Sequence, residues 1–268
     1  MKLTQKIKAA LVVLVLVGAT GALLSFMQKP KPVLYLVGDS TVKNGKGKGD
    51  GGLWGWGSYL SNYFDTTRIT VENDALGGTS SRTFQTQGWW DKVVTKIKPG
   101  DYVVMQFGHN DSSPLVDSSR ARGTIKSNGD EQQDLYNPLT KKQEVIHSYG
   151  WYLRKMIGEA KAKGATVAVC SPIPRNSWKD GKVNRNTNDY VLWASQAAKQ
   201  AGATFIELNR LVSDVYDKEG EEKVKTAYFT TTDHTHTSLE GAKLNAQLVA
   251  DGIRVSKSFS LSKYLLKK

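Results

Sequence analysis

The chain has 268 residues, of which 39% are hydrophobic and 23% are charged. This is ordinary globular composition, so we exclude disordered, collagen-like and disulfide-stabilised proteins. A single cysteine, Cys170, cannot form an intramolecular disulfide, and together with only four histidines it leaves little material for a metal cluster. We therefore expect chemistry carried by ordinary side chains, with no metal and no cofactor.

The chain is basic, with a formal net charge of +12. Five of its lysines lie in the first 32 residues, which contain no acid, and the remainder is still basic enough to favour an acidic partner such as nucleic acid or an acidic polysaccharide. The basic residues are scattered, in runs no longer than Lys141-Lys142 or Lys267-Lys268, and no motif that recognises nucleic acid accompanies them. We expect no nucleic-acid partner, and a merely solvated basic surface stays open beside an acidic polysaccharide.

Residues 1–32 have the pattern of an export segment. Lysines near the start precede an apolar run at residues 9–26, and a polar stretch follows at residues 28–32. This predicts a secretory signal peptide. The run is also close to the ~18 residues that span a bilayer, and no clean cleavage site follows it, so an uncleaved membrane anchor is equally open. Either way we expect an exported protein, periplasmic or extracellular, with membrane contact only through this segment if it is uncleaved.

From residue 33 onward, short apolar runs alternate with longer helical patterns, which is typical of a parallel sheet covered by helices. Runs that are nearly continuous in apolar or β-branched residues predict five strands, at residues 33–37, 69–72, 102–107, 166–170 and 204–207. Helical patterns lie at residues 56–64, 88–97, 149–163, 188–201 and 239–253. The predicted fold class is α/β, as one three-layer α/β/α domain with a five-stranded parallel sheet at residues 33–256.

Two segments outside this alternation show no periodic pattern. Residues 112–144 are polar, contain Gly123, Gly129 and Pro138, and predict a long loop, which in a compact domain is usually functional or disordered. Because this loop follows the third strand, it lies at the carboxyl edge of the sheet, where such folds bind ligands. The basic residues 257–268 predict a poorly ordered tail.

Small and polar residues follow the first two strands. Ser40 comes directly after the first strand, in a turn that presents its hydroxyl at the sheet edge beside backbone N–H groups suited to an oxyanion. A helix N-cap serine is the competing interpretation. After the second strand, Gly77 and Gly78 allow close backbone approach to a ligand, although a plain tight turn has the same pattern.

Two further groups follow the third strand and stand near the chain end. Asn110 can direct its side-chain amide at the same small volume as Ser40, because the ends of the first and third strands are neighbours in a doubly wound sheet. Asp233 and His236 are three residues apart, which lets a carboxylate orient an imidazole. A surface capping arrangement or a two-ligand metal site has the same spacing, and His234 is the weaker base candidate.

All four positions belong on one edge of the sheet. In their chain order they resemble the four blocks of the SGNH (GDSL-type) hydrolases, which carry Ser, Gly, Asn and His, matched here by Ser40, Gly78, Asn110 and His236. The stretches GDST, NDALGGTSSR, GHND and DHTHT are most similar to the rhamnogalacturonan acetylesterase family. The similarity extends over residues 33–253.

The resemblance implies a flavodoxin-like SGNH hydrolase fold and a serine esterase mechanism. It implies that Ser40 is the nucleophile, His236 the general base and Asp233 the group that orients the histidine. The oxyanion is then held by the backbone N–H groups of Ser40 and Gly78 and by the side-chain amide of Asn110. No Gly-x-Ser-x-Gly motif surrounds Ser40, which argues against the arrangement of the α/β-hydrolases.

The function that we favour is that of an exported serine esterase, which removes O-acetyl groups from plant cell-wall polysaccharide, specifically pectic rhamnogalacturonan. Its partner is then an acetylated acidic polysaccharide or oligosaccharide. A basic surface suits a galacturonate-containing chain, Arg82 and Arg175 are candidates to meet its carboxylates, and exposed aromatic rings suit sugar faces. The tryptophan candidates, each with core packing as the alternative, are Trp54, Trp56, Trp89, Trp90 and Trp178. Other functions stay open: an esterase or lipase acting on acetylated xylan or a lipid, and a non-catalytic glycan-binding module. The intact catalytic set argues against the last.

Overall fold

The computed structural model describes residues 30–267. The predicted signal peptide or anchor falls on residues 1–32, nearly all of which lie outside this range. Within residues 30–267, no helix combines the length and the apolar character needed to cross a membrane.

Strands and helices alternate along most of the described chain. The strands are β1 (Val33–Gly38), β2 (Thr70–Asn73), β3 (Tyr102–Gln106), β4 (Gln132–Asn137), β5 (Lys142–His147), β6 (Thr166–Cys170), β7 (Trp178–Lys179), β8 (Lys182–Val183) and β9 (Thr204–Ile206). The α-helices are α1 (Ser81–Thr86), α2 (Trp89–Val94), α3 (Tyr149–Ala162), α4 (Tyr190–Gln200), α5 (Leu208–Glu219), α6 (Glu221–Ala227) and α7 (Leu239–Val255). Short 3-10 helices span Asp50–Gly52, Trp56–Ser58, Leu60–Tyr63 and Ser260–Tyr264.

The five predicted strands form one parallel sheet in the order β2-β1-β3-β6-β9, which confirms the predicted fold class. Parallel pairing sets the carboxyl end of β1 beside that of β3, with Gly38 opposite Gln106. The strand order changes direction between β1 and β3, since β2 lies on one side of β1 and the later strands lie on the other. In such sheets this point leaves a crevice for a ligand.

Helices cover both faces of the sheet, and β1 shows how the sequence produces this arrangement. Successive side chains of a strand point to opposite faces. Leu34 and Leu36 pack into an apolar cluster that includes residues of α5 and α7, whereas Tyr35 and Val37 pack into a second cluster with α3 and α4. All four side chains are buried, and a strand that is buried on both faces has no polar alternation in its sequence. The result is a three-layer domain.

The helical predictions were only partly correct. The pattern at residues 56–64 forms two 3-10 helices rather than one α-helix, and Gly88, which has a φ of +75°, precedes α2 instead of lying inside it. The short helix α1 was not predicted, although Ser80 and Thr83 form a capping box at its start. The helices α5 and α6 were also not predicted. The start of α5 lies within two residues of the end of β9, so no turn or loop residues in the sequence separate this helix from the strand.

Residues 112–144 are not a structureless loop, which corrects the prediction. They contain β4 and the start of β5, which pair as an antiparallel hairpin. Most residues of β4 are exposed, so the hairpin has no apolar alternation that would mark it as a strand pair. Its anchor is Arg82 of α1, which is fully buried and binds both carboxylate oxygens of Glu144, at 2.7 and 2.6 Å. The same guanidinium donates to the carbonyl oxygens of Leu115 and Gly123, at 2.6 and 2.9 Å.

The predicted tail is also more ordered than its composition indicated. Phe259 and Leu261 are buried in the core beside α7. The N–H of Leu266 donates to the Tyr63 carbonyl at 2.9 Å, and the Asp65 N–H donates to the Tyr264 carbonyl at 2.9 Å. The compact unit therefore continues past residue 256, because the side chains of Phe259 and Leu261 are part of its hydrophobic core.

Candidate active site

Ser40 lies just beyond the carboxyl end of β1, in the wall of a cavity. The main chain turns sharply there, because the Asp39 carbonyl accepts a hydrogen bond from the N–H of Val42 at 3.1 Å. Gly38 has no room for a side chain, since a Cβ atom would lie 2.4 Å from the Gln106 carbonyl oxygen. The segment that follows is a turn rather than a helix. Ser40 is therefore not an N-cap residue, and its hydroxyl is available for other contacts.

Ser40, His236 and Asp233 form a continuous chain of hydrogen bonds. The hydroxyl of Ser40 lies 2.8 Å from Nε2 of His236, and Nδ1 of His236 lies 2.7 Å from Oδ2 of Asp233. Because an ionised carboxylate only accepts, Nδ1 carries a proton and Nε2 accepts from the serine. The second oxygen of Asp233, Oδ1, accepts the backbone N–H groups of Thr235 and His236, both at 2.8 Å. These bonds fix the carboxylate, which in turn orients the imidazole.

Electrostatics keep Asp233 ionised. Partial burial raises the pKa of this carboxyl, but hydrogen bonds from the backbone N–H and imidazole of His236 and from Thr235 outweigh burial and hold the pKa below its ordinary value. An ionised carboxylate stabilises the positive charge that an imidazole gains when it takes a proton. His234 is directed elsewhere, because its Nδ1 lies 3.1 Å from the Asn176 amide nitrogen.

Three candidate donors for a developing negative charge border the same cavity. Gly78 has a φ of +84°, and no atom lies within 4 Å of the place where a Cβ would stand. The backbone N–H groups of Ser40 and Gly78 donate to no acceptor among residues 30–267. The nearly buried Asn110 donates one amide hydrogen to the Thr79 carbonyl at 2.7 Å. Its second amide hydrogen is left for a ligand.

The cavity that these groups share has a volume of about 470 Å³. It lies at the carboxyl ends of β1 and β3, where the strand order changes direction and α/β sheets bind ligands. Its lining contains three arginines and no acidic residue: Ser40, Asn44, Gly45, Leu76, Gly77, Gly78, His109, Asn110, Arg120, Arg122, Arg175, Thr235 and His236. Among the described residues, no group of three or more His, Cys, Asp or Glu side chains is placed to hold a metal ion.

Removing the Asn110 amide is expected to slow turnover without unfolding the protein. Asn110→Ala removes one of the three candidate donors to the oxyanion, and loss of such a donor lowers kcat by roughly 10²-fold to 10³-fold. The measurement is kcat for 4-nitrophenyl acetate, beside a thermal melt that checks folding. The matched control is Asn62→Ala, an exposed asparagine outside the cavity, which should retain full activity. A loss below about threefold for Asn110→Ala would show that this amide does not contact the reacting oxygen.

Two buried carboxyls lie beneath the cavity. Oδ2 of Asp39 is 3.4 Å from Nδ1 of His109, whose Nε2 donates to the Ile173 carbonyl at 3.0 Å. Burial raises the pKa of Asp39, but His109 and two hydrogen bonds from Thr41 together outweigh burial, and the pKa lies below its ordinary value. Asp111 differs, because burial raises its pKa to about 7 despite two hydrogen bonds from Ser81. Its Oδ2 has no hydrogen-bond partner among the described residues.

The Asp111 carboxyl is expected to make stability fall as pH rises. Its pKa rises from 3.8 to about 7 on folding, so between these values the folded protein holds a proton that the unfolded chain has lost. Its contribution to the free energy of unfolding is complete below pH 4 and lost above about pH 7, and amounts to roughly 4 kcal/mol at most. Asp111→Asn should remove this slope, as measured by urea unfolding at about pH 5 and pH 8. Asp134→Asn, an exposed site, is the control, and equal slopes in wild type and Asp111→Asn would contradict the assignment.

Several predicted ligand residues are not at the cavity. Arg82 is fully buried and already meets a carboxylate, that of Glu144, so it is not available to a substrate. Trp56 and Trp90 are core residues with no exposed surface. The part-exposed tryptophans, Trp54, Trp89 and Trp178, are absent from the cavity lining. Arg175 does line the cavity.

Sequence reasoning missed two of the three arginines that line the cavity, Arg120 and Arg122. They lie in the long polar segment that follows β3, which was expected at the ligand-binding edge. Two arginines within three residues of that segment were the available signal. Composition alone did not show that this part of the segment turns back over the end of β1.

The sequence and the fold are similar to those of known proteins. Residues 36–244 match the model of the GDSL-like Lipase/Acylhydrolase family. A rhamnogalacturonan acetylesterase of Emericella nidulans is 30% identical over 214 residues, which cover 80% of this chain and 81% of that protein. The probable rhamnogalacturonan acetylesterase YesY of Bacillus subtilis is 31% identical over 225 residues, which cover 82% of this chain and 92% of that protein. The crystal structure of the Bacillus subtilis protein YxiM superposes with a TM-score of 0.67 at 26% identity, covering 86% of this chain and 58% of that one.

Proposed function

Because this chain belongs to the GDSL-like lipase/acylhydrolase family and is a carboxylic ester hydrolase, we propose that it removes O-acetyl groups from a polysaccharide, specifically acetylated pectic rhamnogalacturonan. The observation that carries the proposal is the hydrogen-bonded chain from Asp233 through His236 to Ser40, which opens on a cavity bordered by Gly78 and Asn110. The substrate is supported by the names of the two relatives and by the cationic lining of that cavity.

The proposed mechanism is acyl transfer through Ser40. As the serine oxygen bonds to the acetyl carbon, His236 accepts the serine proton. The negative charge on the carbonyl oxygen is held by the N–H groups of Ser40 and Gly78 and by the Asn110 amide. The intermediate then collapses, and the departing sugar oxygen takes the proton from His236. Water repeats both steps on the acetyl-serine, which releases acetate and restores the serine.

We also propose that the protein is exported. The support is the pattern of residues 1–32, with lysines before an apolar run, and a polysaccharide substrate that lies outside the cell. Cell fractionation with mass analysis of the mature protein tests this. A new start inside residues 18–32 indicates a cleaved signal, and an intact chain in the membrane fraction indicates an anchor. An intact chain in the cytoplasm would contradict export.

The substrate proposal is tested by acetate release from a panel of esters. The full-length protein is incubated with acetylated rhamnogalacturonan, acetylated xylan, and short-chain and long-chain nitrophenyl esters. Release mainly from the pectic polymer supports the proposal. Preference for acetylated xylan or for long-chain esters would support the serine mechanism but would contradict the proposed substrate. Binding of oligosaccharide with no release of acetate from any ester would leave only a glycan-binding role.

A further inference from the structure

The cavity beside Ser40 is lined by arginines that form no ion pair among residues 30–267. The chain has nine arginines, and five of them form ion pairs with acidic side chains. The four that form no ion pair among residues 30–267 are Arg68 and three that line the cavity, namely Arg120, Arg122 and Arg175. Unpaired arginines are thus concentrated at one site.

The backbone that presents two of these arginines is held in an unusual conformation. Ala121, between Arg120 and Arg122, is buried and has a φ of +41°, a region that residues with a side chain rarely adopt. The Asp117 carboxylate secures the turn by accepting backbone N–H groups of Ser119, Arg120 and Ala121. Backbone strain of this kind persists where the surrounding structure requires it, and it is concentrated at functional sites.

The three cavity arginines, Arg120, Arg122 and Arg175, form a cluster whose hydrogen-bond donors are only partly used within the protein. Arg122 donates to the Gly78 carbonyl at 2.9 Å and to the Ser113 hydroxyl at 3.2 Å. Arg175 donates to the Thr235 hydroxyl and to the His109 carbonyl. The exposed Arg120 guanidinium donates to no acceptor among the described residues. Partial burial, followed by repulsion from Arg120, lowers the pKa of Arg122, so the cluster carries an electrostatic cost that a bound anion would relieve.

The acids near the cavity offset the charge of the arginines only in part, since Asp39, Asp111 and Asp117 raise the pKa of Arg122. Neither Asp39 nor Asp111 lies within ion-pair distance of an arginine. Asp39 is instead beside His109, and the pKa of Asp111, raised to about 7, leaves it partly protonated at neutral pH. With three arginines and no acidic residue, the lining of the cavity carries a net positive charge.

We propose that Arg120 and Arg122, together with Arg175, form a subsite that binds the carboxylate of a uronic acid next to the acetylated sugar. A guanidinium offers paired N–H donors that match a carboxylate. The proposal rests on the proposed deacetylation of a polysaccharide and deepens it, because it requires an anionic sugar within reach of the acetyl group. A neutral polymer such as xylan leaves the three arginines without a partner.

The test measures carboxylate recognition separately from deacetylation. The full-length protein hydrolyses 4-nitrophenyl acetate in the presence of one of two competitors, and the inhibition constant of each is measured. The competitors are a deacetylated rhamnogalacturonan oligosaccharide and the same oligosaccharide with its carboxyl groups reduced. In wild type, the reduced oligosaccharide should inhibit roughly 10-fold to 100-fold more weakly, as expected for loss of one or two charge-assisted hydrogen bonds. Arg120→Gln should lower this ratio by roughly threefold to tenfold, because one charged donor is lost while Arg122 and Arg175 remain. Arg68→Gln, an arginine that also lacks an acidic partner but lies outside the cavity, should keep the wild-type ratio.

The possible results separate this inference from the proposed function. Equal inhibition by the two oligosaccharides in wild type, or no inhibition by either, would overturn the carboxylate subsite even if the acetylated polymer is a good substrate. An unchanged ratio in Arg120→Gln would do the same. Tighter inhibition by a sugar phosphate than by the uronate oligosaccharide would assign the arginines to phosphate. Failure to release acetate from acetylated rhamnogalacturonan, with a ratio that still depends on Arg120, would instead overturn the substrate while the anion site stands.

Discussion

Replacing Ser40 with alanine is expected to lower kcat/KM for every ester that the protein cleaves by roughly 10⁴-fold to 10⁶-fold. The variant has no oxygen to form the acyl-enzyme, and His236 then has only water to deprotonate. The residual rate reflects binding and the donors of Ser40, Gly78 and Asn110, because alanine retains the backbone N–H at position 40. Rapid mixing with 4-nitrophenyl acetate measures the effect, and mass analysis of the quenched wild type should show one added acetyl group on the peptide that contains Ser40.

The matched control for this substitution is Ser177→Ala, an exposed serine that does not line the cavity. It should keep wild-type activity. If Ser40→Ala retained more than about one per cent of the wild-type rate with an intact fold, another nucleophile would have to be sought. An acetyl group found on a different residue would lead to the same conclusion.

Asp233→Asn is expected to lower kcat by roughly 10⁴-fold with little change in the fold. The asparagine oxygen can still accept the backbone N–H groups that Asp233 accepts now, so the turn is preserved. Its amide nitrogen then faces Nδ1 of His236 and donates to it, which forces the proton onto Nε2. In that tautomer the imidazole cannot accept the proton of Ser40. The loss therefore arises from a reversed hydrogen bond rather than from a missing contact.

Kinetics on a short nitrophenyl ester measure this loss, and urea unfolding checks that stability is retained. Asp134→Asn, an exposed residue of β4, is the control for the same chemical change. A rate for Asp233→Asn within about tenfold of wild type would show that His236 is oriented by something other than this carboxylate.

The sheet and the candidate site were predictable for the same physical reason. A strand buried on both faces is a nearly continuous apolar run, so the five central strands were visible in the sequence, and Thr166–Cys170 was predicted with its observed bounds. In a parallel sheet the residues that follow the strands meet at one edge. Ser40, Gly78 and Asn110 were therefore placed together before any contact was known.

What the sequence did not reveal depends on long-range contacts. The hairpin of β4 and β5 is largely exposed, so its strands have neither an apolar run nor alternation. One contact that positions it is the ion pair between Arg82 and Glu144, residues 62 positions apart. The sequence also does not show which tryptophans lie in the core and which at the surface. Trp56 is buried and its indole N–H donates to the Gln106 side chain at 3.1 Å, whereas Trp89 is partly exposed.

Residues 116–122, the loop that carries Arg120 and Arg122, are held at both ends by Arg82. Its buried guanidinium holds the carbonyl oxygens of Leu115 and Gly123, the two residues that bracket residues 116–122. The segment between Leu115 and Gly123 can differ in length or charge while its two ends stay hydrogen-bonded to Arg82 of α1. We therefore expect that substitutions within residues 116–122 change substrate preference, while the reacting groups and the sheet that supports them stay in place.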